Sequence, residues 1–235
     1  MERAGLSGAF VKWQRWFVDR LIARSLRGHF RAVYGRGAPP AEQRPLILYA
    51  NHHYWWDGYL AYWLIRSWGR RTMVWMESYR RFPPFGAVGA LPFPAGDITA
   101  RARTVRRTLQ ALRSPETALL LFPEGKLHGD TERLLPFQRS LHWLARQLPH
   151  AQLLPLAIHI EPSYHQYPRA YLSIGAPFLS DLSDPEAWLC SAAEALHATL
   201  QAVRADARAA VSEAEITARG YQILLRGRLS VSERF

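Results

Sequence analysis

The run Leu46-Ile47-Leu48-Tyr49-Ala50-Asn51-His52-His53-Tyr54-Trp55-Trp56-Asp57-Gly58 decides how the rest of the chain is read. Its first five residues are continuously apolar and predict a short strand buried on both faces. Tyr59-Leu60-Ala61-Tyr62-Trp63-Leu64-Ile65 follows without a turn residue and predicts a helix. Asn51 to Gly58 therefore occupy a strand-to-helix turn, where side chains are held rigidly yet face outward. Asp57 stands where a helix N-cap is expected. A chain reversal at this turn carries its carboxylate back to a ring nitrogen of His52. A carboxylate so placed fixes the imidazole tautomer and stabilises the charge that develops on proton abstraction, which makes the pair a candidate general base. A plainer reading stays open on these residues alone: polar side chains at a strand end, followed by a cap.

Outward from this turn, apolar runs alternate with helical patterns. Strands are expected at Leu46–Ala50, Thr72–Met76, Val88–Phe93, Ala118–Phe122, Leu153–Ile160 and Ala170–Ile174. Helices are expected at Gly58–Ser67, Ala100–Leu112, Phe137–Gln147 and Pro185–Ala210. The alternation gives an α/β domain with a mixed sheet and flanking helices. A second strand-end turn, Phe122-Pro123-Glu124-Gly125-Lys126, follows the run Leu119-Leu120-Leu121. Two such turns can face one crevice at the end of a sheet, the usual place for a ligand. His128 and Asp130 follow closely, as contacts to a ligand or as solvated side chains.

The N-terminal segment has a different character. From Ala9 to about Tyr34 no proline occurs, and Phe10, Trp13, Phe17 and Leu21 recur at helical spacing, flanked by Val11, Val18, Ile22 and Leu26. Residues 1–37 hold seven Arg and one Lys against Glu2 and Asp19, over half of the formal net charge of +11. A basic helix with Trp and Phe on its apolar face matches an in-plane membrane anchor, and an amphipathic helix packed on the core is the competing reading. Gly35-Arg36-Gly37-Ala38-Pro39-Pro40 breaks the pattern. The expected organisation is an amphipathic, membrane-interfacial helix over residues 1–37 and a main domain over 38–235. The tail past Gly220, with Arg226, Arg228 and Arg234, is a further membrane contact or a frayed end.

Composition narrows the function classes. A hydrophobic content of 49% with 9 Trp excludes a disordered chain. The single cysteine, Cys190, rules out an internal disulfide and a cysteine-based zinc site, and reads as a small packed side chain. No window of about 20 residues is free of charge, so no transmembrane helix is expected. Neither is a signal peptide, so a cytoplasmic protein is expected. The histidines show no metal-ligand spacing, so no metal site is expected. Nucleic acid ranks low as a partner, because no recognition motif accompanies the basic residues.

Taken in order, these residues resemble the glycerolipid acyltransferase family, which includes the lysophosphatidate acyltransferases. Asn51-His52 with Asp57-Gly58 matches its N-H-x-x-x-x-D-G motif, Phe122-Pro123-Glu124-Gly125 its F-P-E-G motif, and Leu154-Pro155-Leu156-Ala157 its late V-P-V-A strand. The resemblance runs from about residue 45 to 160. It implies transfer of a fatty acyl group from acyl-CoA or acyl-carrier protein, as co-substrate rather than cofactor, to a hydroxyl of a lipid acceptor at the cytoplasmic face of a membrane. It implies His52 as general base, Asp57 as its orienting partner, and Phe122, Pro123, Glu124, Gly125 and Lys126 beside the acceptor. The chain departs from the family pattern at two positions. Leu127 and Ala95 stand where the family usually carries phosphate-gripping arginines, and neither Arg101 nor Arg103 is placed by the motif. The expected acceptor is thus a lysophospholipid or, favoured by this loss, a non-phosphorylated glycolipid such as a glycosylated carotenoid. The other class that fits is a catalytically silent lipid-binding relative.

Overall fold

The computed structural model describes residues 2–38, 43–162, 165–210 and 212–233. In chain order the elements are α1 (Glu2–His29), β1 (Ala32–Arg36), β2 (Leu46–Ala50), α2 (Asp57–Ser67), β3 (Arg71–Met76), β4 (Ala90–Pro92), α3 (Ile98–Ala111) and β5 (Thr117–Leu121). They continue with α4 (Ser140–Gln147), β6 (Gln152–Glu161), β7 (Arg169–Ile174), α5 (Pro185–Ala209), α6 (Glu213–Ala218) and β8 (Gln222–Arg226). The eight strands form one sheet in the order β4-β3-β5-β2-β6-β7-β1-β8. β4, β3, β5, β2 and β6 run parallel, β7 is antiparallel to β6 and parallel to β1, and β8 closes the far edge antiparallel to β1. The expected mixed α/β architecture is present.

Side-chain alternation along the strands builds two apolar layers. Leu46, Leu48 and Ala50 of β2 face a layer completed by Val18, Ile22 and Leu26 of α1 and by α2. Ile47 and Tyr49 face the other way, into a layer completed by α3, α4 and α5. All five β2 residues are fully buried, as the continuous apolar run requires. Each large side chain buried this way contributes about 1.5–3 kcal/mol.

Several elements differ from the sequence reading. The helical spacing read through to Tyr34 stops at His29, and Ala32–Arg36 is an interior strand, on the N-terminal side of the boundary expected at residue 37. Pairing with β7 and β8, with Ala32 and Tyr34 packed on one face of the sheet and Val33 on the other, outweighs the local helical pattern there. The residues after Gly220 are not a frayed end: β8 pairs with β1. Pro39, Pro40 and Arg234 lie outside the described residues. Asp57 is the first helical residue of α2 rather than its cap, a place taken by Trp56. Cys190 sits on the exposed side of α5.

Helix α1 has a buried apolar face and an exposed apolar one. Val18, Ile22, Leu26 and the following Phe30 are buried in the core. Phe10, Trp13, Trp16, Phe17 and Leu21 remain exposed, with Phe10, Trp13 and Phe17 stacked in series. No helix among the described residues is long and apolar enough to cross a membrane.

Candidate active site at the carboxyl edge of the sheet

The parallel register sets Tyr49 of β2 beside Leu121 of β5, so the segments that follow both strands leave the same edge of the sheet. His52 and Asp57 meet there: His52 Nδ1 lies 3.1 Å from Asp57 Oδ2. The same oxygen accepts the Tyr54 backbone N–H at 2.9 Å. An oxygen that already accepts one hydrogen bond receives the second as well, so Nδ1 carries the imidazole proton and Nε2 keeps its lone pair. Asp57 is fully buried, whereas the His52 side chain keeps 23% of its surface open. Burial pushes the Asp57 carboxyl above the usual carboxylate range, and the bonds from His52 and Tyr54 oppose that shift. The His52 ring stacks on Phe122, with centroids 4.1 Å apart.

Glu124 is the point at which the two turns join. The sequence reading sets it beside an acceptor; in the structure its carboxylate is turned inward and is fully buried. Oε1 accepts the His52 backbone N–H at 2.7 Å, and Oε2 accepts the Leu135 N–H at 2.8 Å and His128 Nε2 at 2.6 Å. Three donors converge because a buried carboxylate must be compensated, and here the compensation fastens the 51–57 turn to the 123–136 loop. Gly125 follows at φ +74°, a left-handed conformation that suits glycine. Of the remaining motif residues, Phe122 is half-buried, Pro123 is buried, and Gly125 and Lys126 are exposed.

His53 has a separate role. Asn51 grips both backbone groups of Ile158 in β6: its Nδ2 donates to the carbonyl at 2.9 Å and its Oδ1 accepts the N–H at 2.8 Å. The amide orientation is therefore fixed, and the same Nδ2 lies 3.2 Å from His53 Nδ1. His53 Nδ1 is thus an acceptor and Nε2 carries the proton. Burial lowers the His53 pKa from 6.5 to about 4, so the ring is neutral at pH 7.

His53, Glu124 and His128 each bring a ligand-type atom within 4.8 Å of one another, a grouping the histidine spacing does not announce. The bonds present do not fit a metal. A ligating His53 Nε2 must be bare, but it holds the proton, and His128 Nε2 is spent on Glu124 while its Nδ1 accepts the Asp130 N–H. Sequence reasoning also missed Arg204 of α5, which is 2% exposed. Its guanidinium nitrogens have no hydrogen-bond partner among the described residues beyond a 3.9 Å approach to Glu132. Its charge helps keep His53 unprotonated.

The positions where phosphate-gripping arginines are expected stay without them. Leu127 is exposed, and Arg101 gives its Nε–H to the Pro94 carbonyl while lying over the Phe93 ring. Arg103 is exposed on α3.

Residues 31–162 match the model of the family described as Acyltransferase. This chain belongs to the acyltransferase family. The matched span begins just before β1 and ends just after β6, so it contains His52, Asp57 and Glu124 and leaves out α1. A comparison with curated proteins finds no match. Among solved structures, the acyltransferase chain is similar to the 1-acyl-sn-glycerophosphate (LPA) acyltransferase PlsC from Thermotoga maritima, with a TM-score of 0.56 and 18% identity over 88% of this chain and 91% of that one. At that identity the likeness is one of fold.

Proposed function

We propose that this acyltransferase works at a lipid surface and moves a fatty acyl group from a CoA or carrier-protein thioester to a lipid hydroxyl, with His52 as general base. The observation that carries the reading is the 3.1 Å contact between a half-open imidazole and a fully buried carboxylate. Nε2 takes the acceptor's proton, and the freed oxygen forms a bond to the thioester carbonyl carbon. The tetrahedral intermediate then breaks its carbon–sulfur bond, and the leaving thiolate takes the proton back from the imidazolium. Asp57 stabilises that cation. Glu124 acts by position, holding the His52 backbone N–H while Phe122 supports the ring face. In the second turn the Gly125 N–H is bonded to the Phe122 carbonyl and the His128 N–H to the His52 carbonyl. Lys126 and Leu127 are left to donate to the oxyanion.

The lipid surface enters through α1. Its exposed aromatics lie among Lys12, Arg15, Arg20 and Arg24, the composition of an interfacial helix. Its C-terminal end meets the catalytic turn, where the Trp56 ring lies 4.4 Å from His29 and 5.6 Å from Phe30, and Trp55 is 62% exposed beside it. An acceptor held in the leaflet thereby reaches His52 from the α1 side. Its head group is read as lacking a phosphomonoester, a glycolipid in preference to lysophosphatidate, because Ala95 and Leu127 supply no guanidinium fork.

The test is transfer from palmitoyl-CoA with vesicles carrying either lysophosphatidate or a glycosylated lipid. Removing the base in His52→Ala should lower turnover by about 10²–10⁴-fold with the melting temperature unchanged. Wild-type turnover in that variant overturns the mechanism. A strong preference for lysophosphatidate overturns the acceptor assignment only.

A further inference from the structure

The face of the molecule opposite α1 carries an arginine row with no partner. Arg103, Arg106 and Arg107 are exposed on one side of α3 at i, i+3 and i+4 spacing, and Arg113 is exposed just past the helix end. None of the four guanidinium groups makes an ion pair or hydrogen bond among the described residues. Neither α3 nor the neighbouring α4 contains an acidic residue. Beside this row an apolar groove of about 460 Å³ runs between the two helices, floored by Trp75 and Phe93 and walled by Val105, Leu109 and Trp143. Trp143 is 42% exposed there. Arg106 stands on the groove wall and the other arginines lie outside it; aromatic and arginine side chains together suit a protein-docking surface.

Location decides the occupant. α3 and α4 cover the sheet face opposite the one covered by α1, so these arginines point away from any bilayer that α1 rests on. Their partner is therefore soluble, and charge complementarity makes it acidic. Trp75 and Phe93 lie at the carboxyl ends of β3 and β4, the edge from which His52 also emerges. Only β5 separates β3 from β2, a span of two strand spacings or roughly 10 Å. A partner seated in the groove has a short way to the base.

We propose that the α3–α4 groove docks the acyl donor's carrier protein, an acidic helix laying its carboxylates on the arginine row and one apolar side chain against Trp143. This rests on the acyltransferase reading and assigns the two substrates to opposite faces: acceptor from the lipid side, donor from the soluble side.

The experiment compares wild type with the triple variant Arg103→Glu, Arg106→Glu, Arg107→Glu, using palmitoyl-loaded acyl carrier protein and palmitoyl-CoA as donors. Reversing these three charges should raise KM for the carrier-bound donor by about tenfold or more, increasingly so at low salt, and change palmitoyl-CoA kinetics by less than about twofold. Trp143→Ala should act the same way. Equal effects on both donors, or none on the carrier-bound one, overturn the proposal. If neither donor supports wild-type transfer, the acyltransferase reading fails by itself. Calorimetric titration of the carrier protein then decides the docking: binding that the triple variant loses sustains it, and no binding to wild type overturns it. Binding of a single-stranded RNA 20-mer in place of the carrier, lost in the same variant, likewise overturns it.

Discussion

Acidification from pH 7 to pH 5 should cost the folded protein about 2 kcal/mol through His53 alone. Burial holds this imidazole at a pKa of about 4 against 6.5 in the unfolded chain, so the unfolded state binds its proton first. Stability linked to His53 is therefore intact above pH 6.5, falls as pH drops, and levels off below about pH 4. Between pH 6.5 and 5 the chain crosses about 1.5 pH units at about 1.4 kcal/mol each, which gives the figure above. The control is His53→Gln, whose side-chain oxygen can accept the Asn51 N–H but does not titrate. Urea unfolding of both proteins at pH 7 and pH 5 gives four free energies. The carboxylates titrate alike in both chains, so their contributions cancel, and the wild-type-minus-variant difference should shift by about 2 kcal/mol. Parallel pH dependences would refute the assignment of His53 as a buried neutral ring.

Glu124→Gln should lower both stability and turnover. One amide oxygen can serve the Leu135 and His128 donors, but the amide nitrogen then faces the His52 N–H, and the unmet donor costs about 1–3 kcal/mol. Melting curves and steady-state kinetics should show kcat falling with little change in acceptor KM, and a variant with wild-type melting and rate sinks the positioning role. Gly89→Ala should prevent folding, because a Cβ there lies 1.8 Å from the Thr72 carbonyl oxygen at φ +101°. Gly69→Ala, also at positive φ but with open space around it, should cost only about 1–2 kcal/mol. Soluble yield and thermal melts separate these outcomes, and a folded, stable Gly89→Ala protein contradicts the close β3–β4 packing.

What the sequence displays depends on whether the determining contacts are local. β2 and the first residues of α2 are legible because a continuous apolar run and an uninterrupted helical pattern abut at one turn, and His52 and Asp57 lie five positions apart within it. β1 is illegible because Ala32–Arg36 continues a helical spacing, and only pairing with residues 169–173 and 222–226 makes it a strand. The inward turn of Glu124 is hidden for a similar reason: two of its three donors come from an irregular loop whose path no periodicity describes. Arg106, Arg107 and Arg113 draw no reading from the sequence, because only the fold sets them on the sheet face opposite α1.

The pairing of β8 with β1 carries a consequence for synthesis. Nearly the whole chain separates the two strands, so while the polypeptide leaves the ribosome β1 waits with one edge unpaired. Gly227 then packs against the Phe30 carbonyl just past the end of α1, and the Gly227 and Arg228 N–H groups bond to the Arg31 and Phe30 carbonyls. The last strand to emerge is thus the clasp on the first. A nascent chain halted before residue 222 presents an open strand edge beside a greasy helix, the pair of surfaces that chaperones and aggregates both recognise.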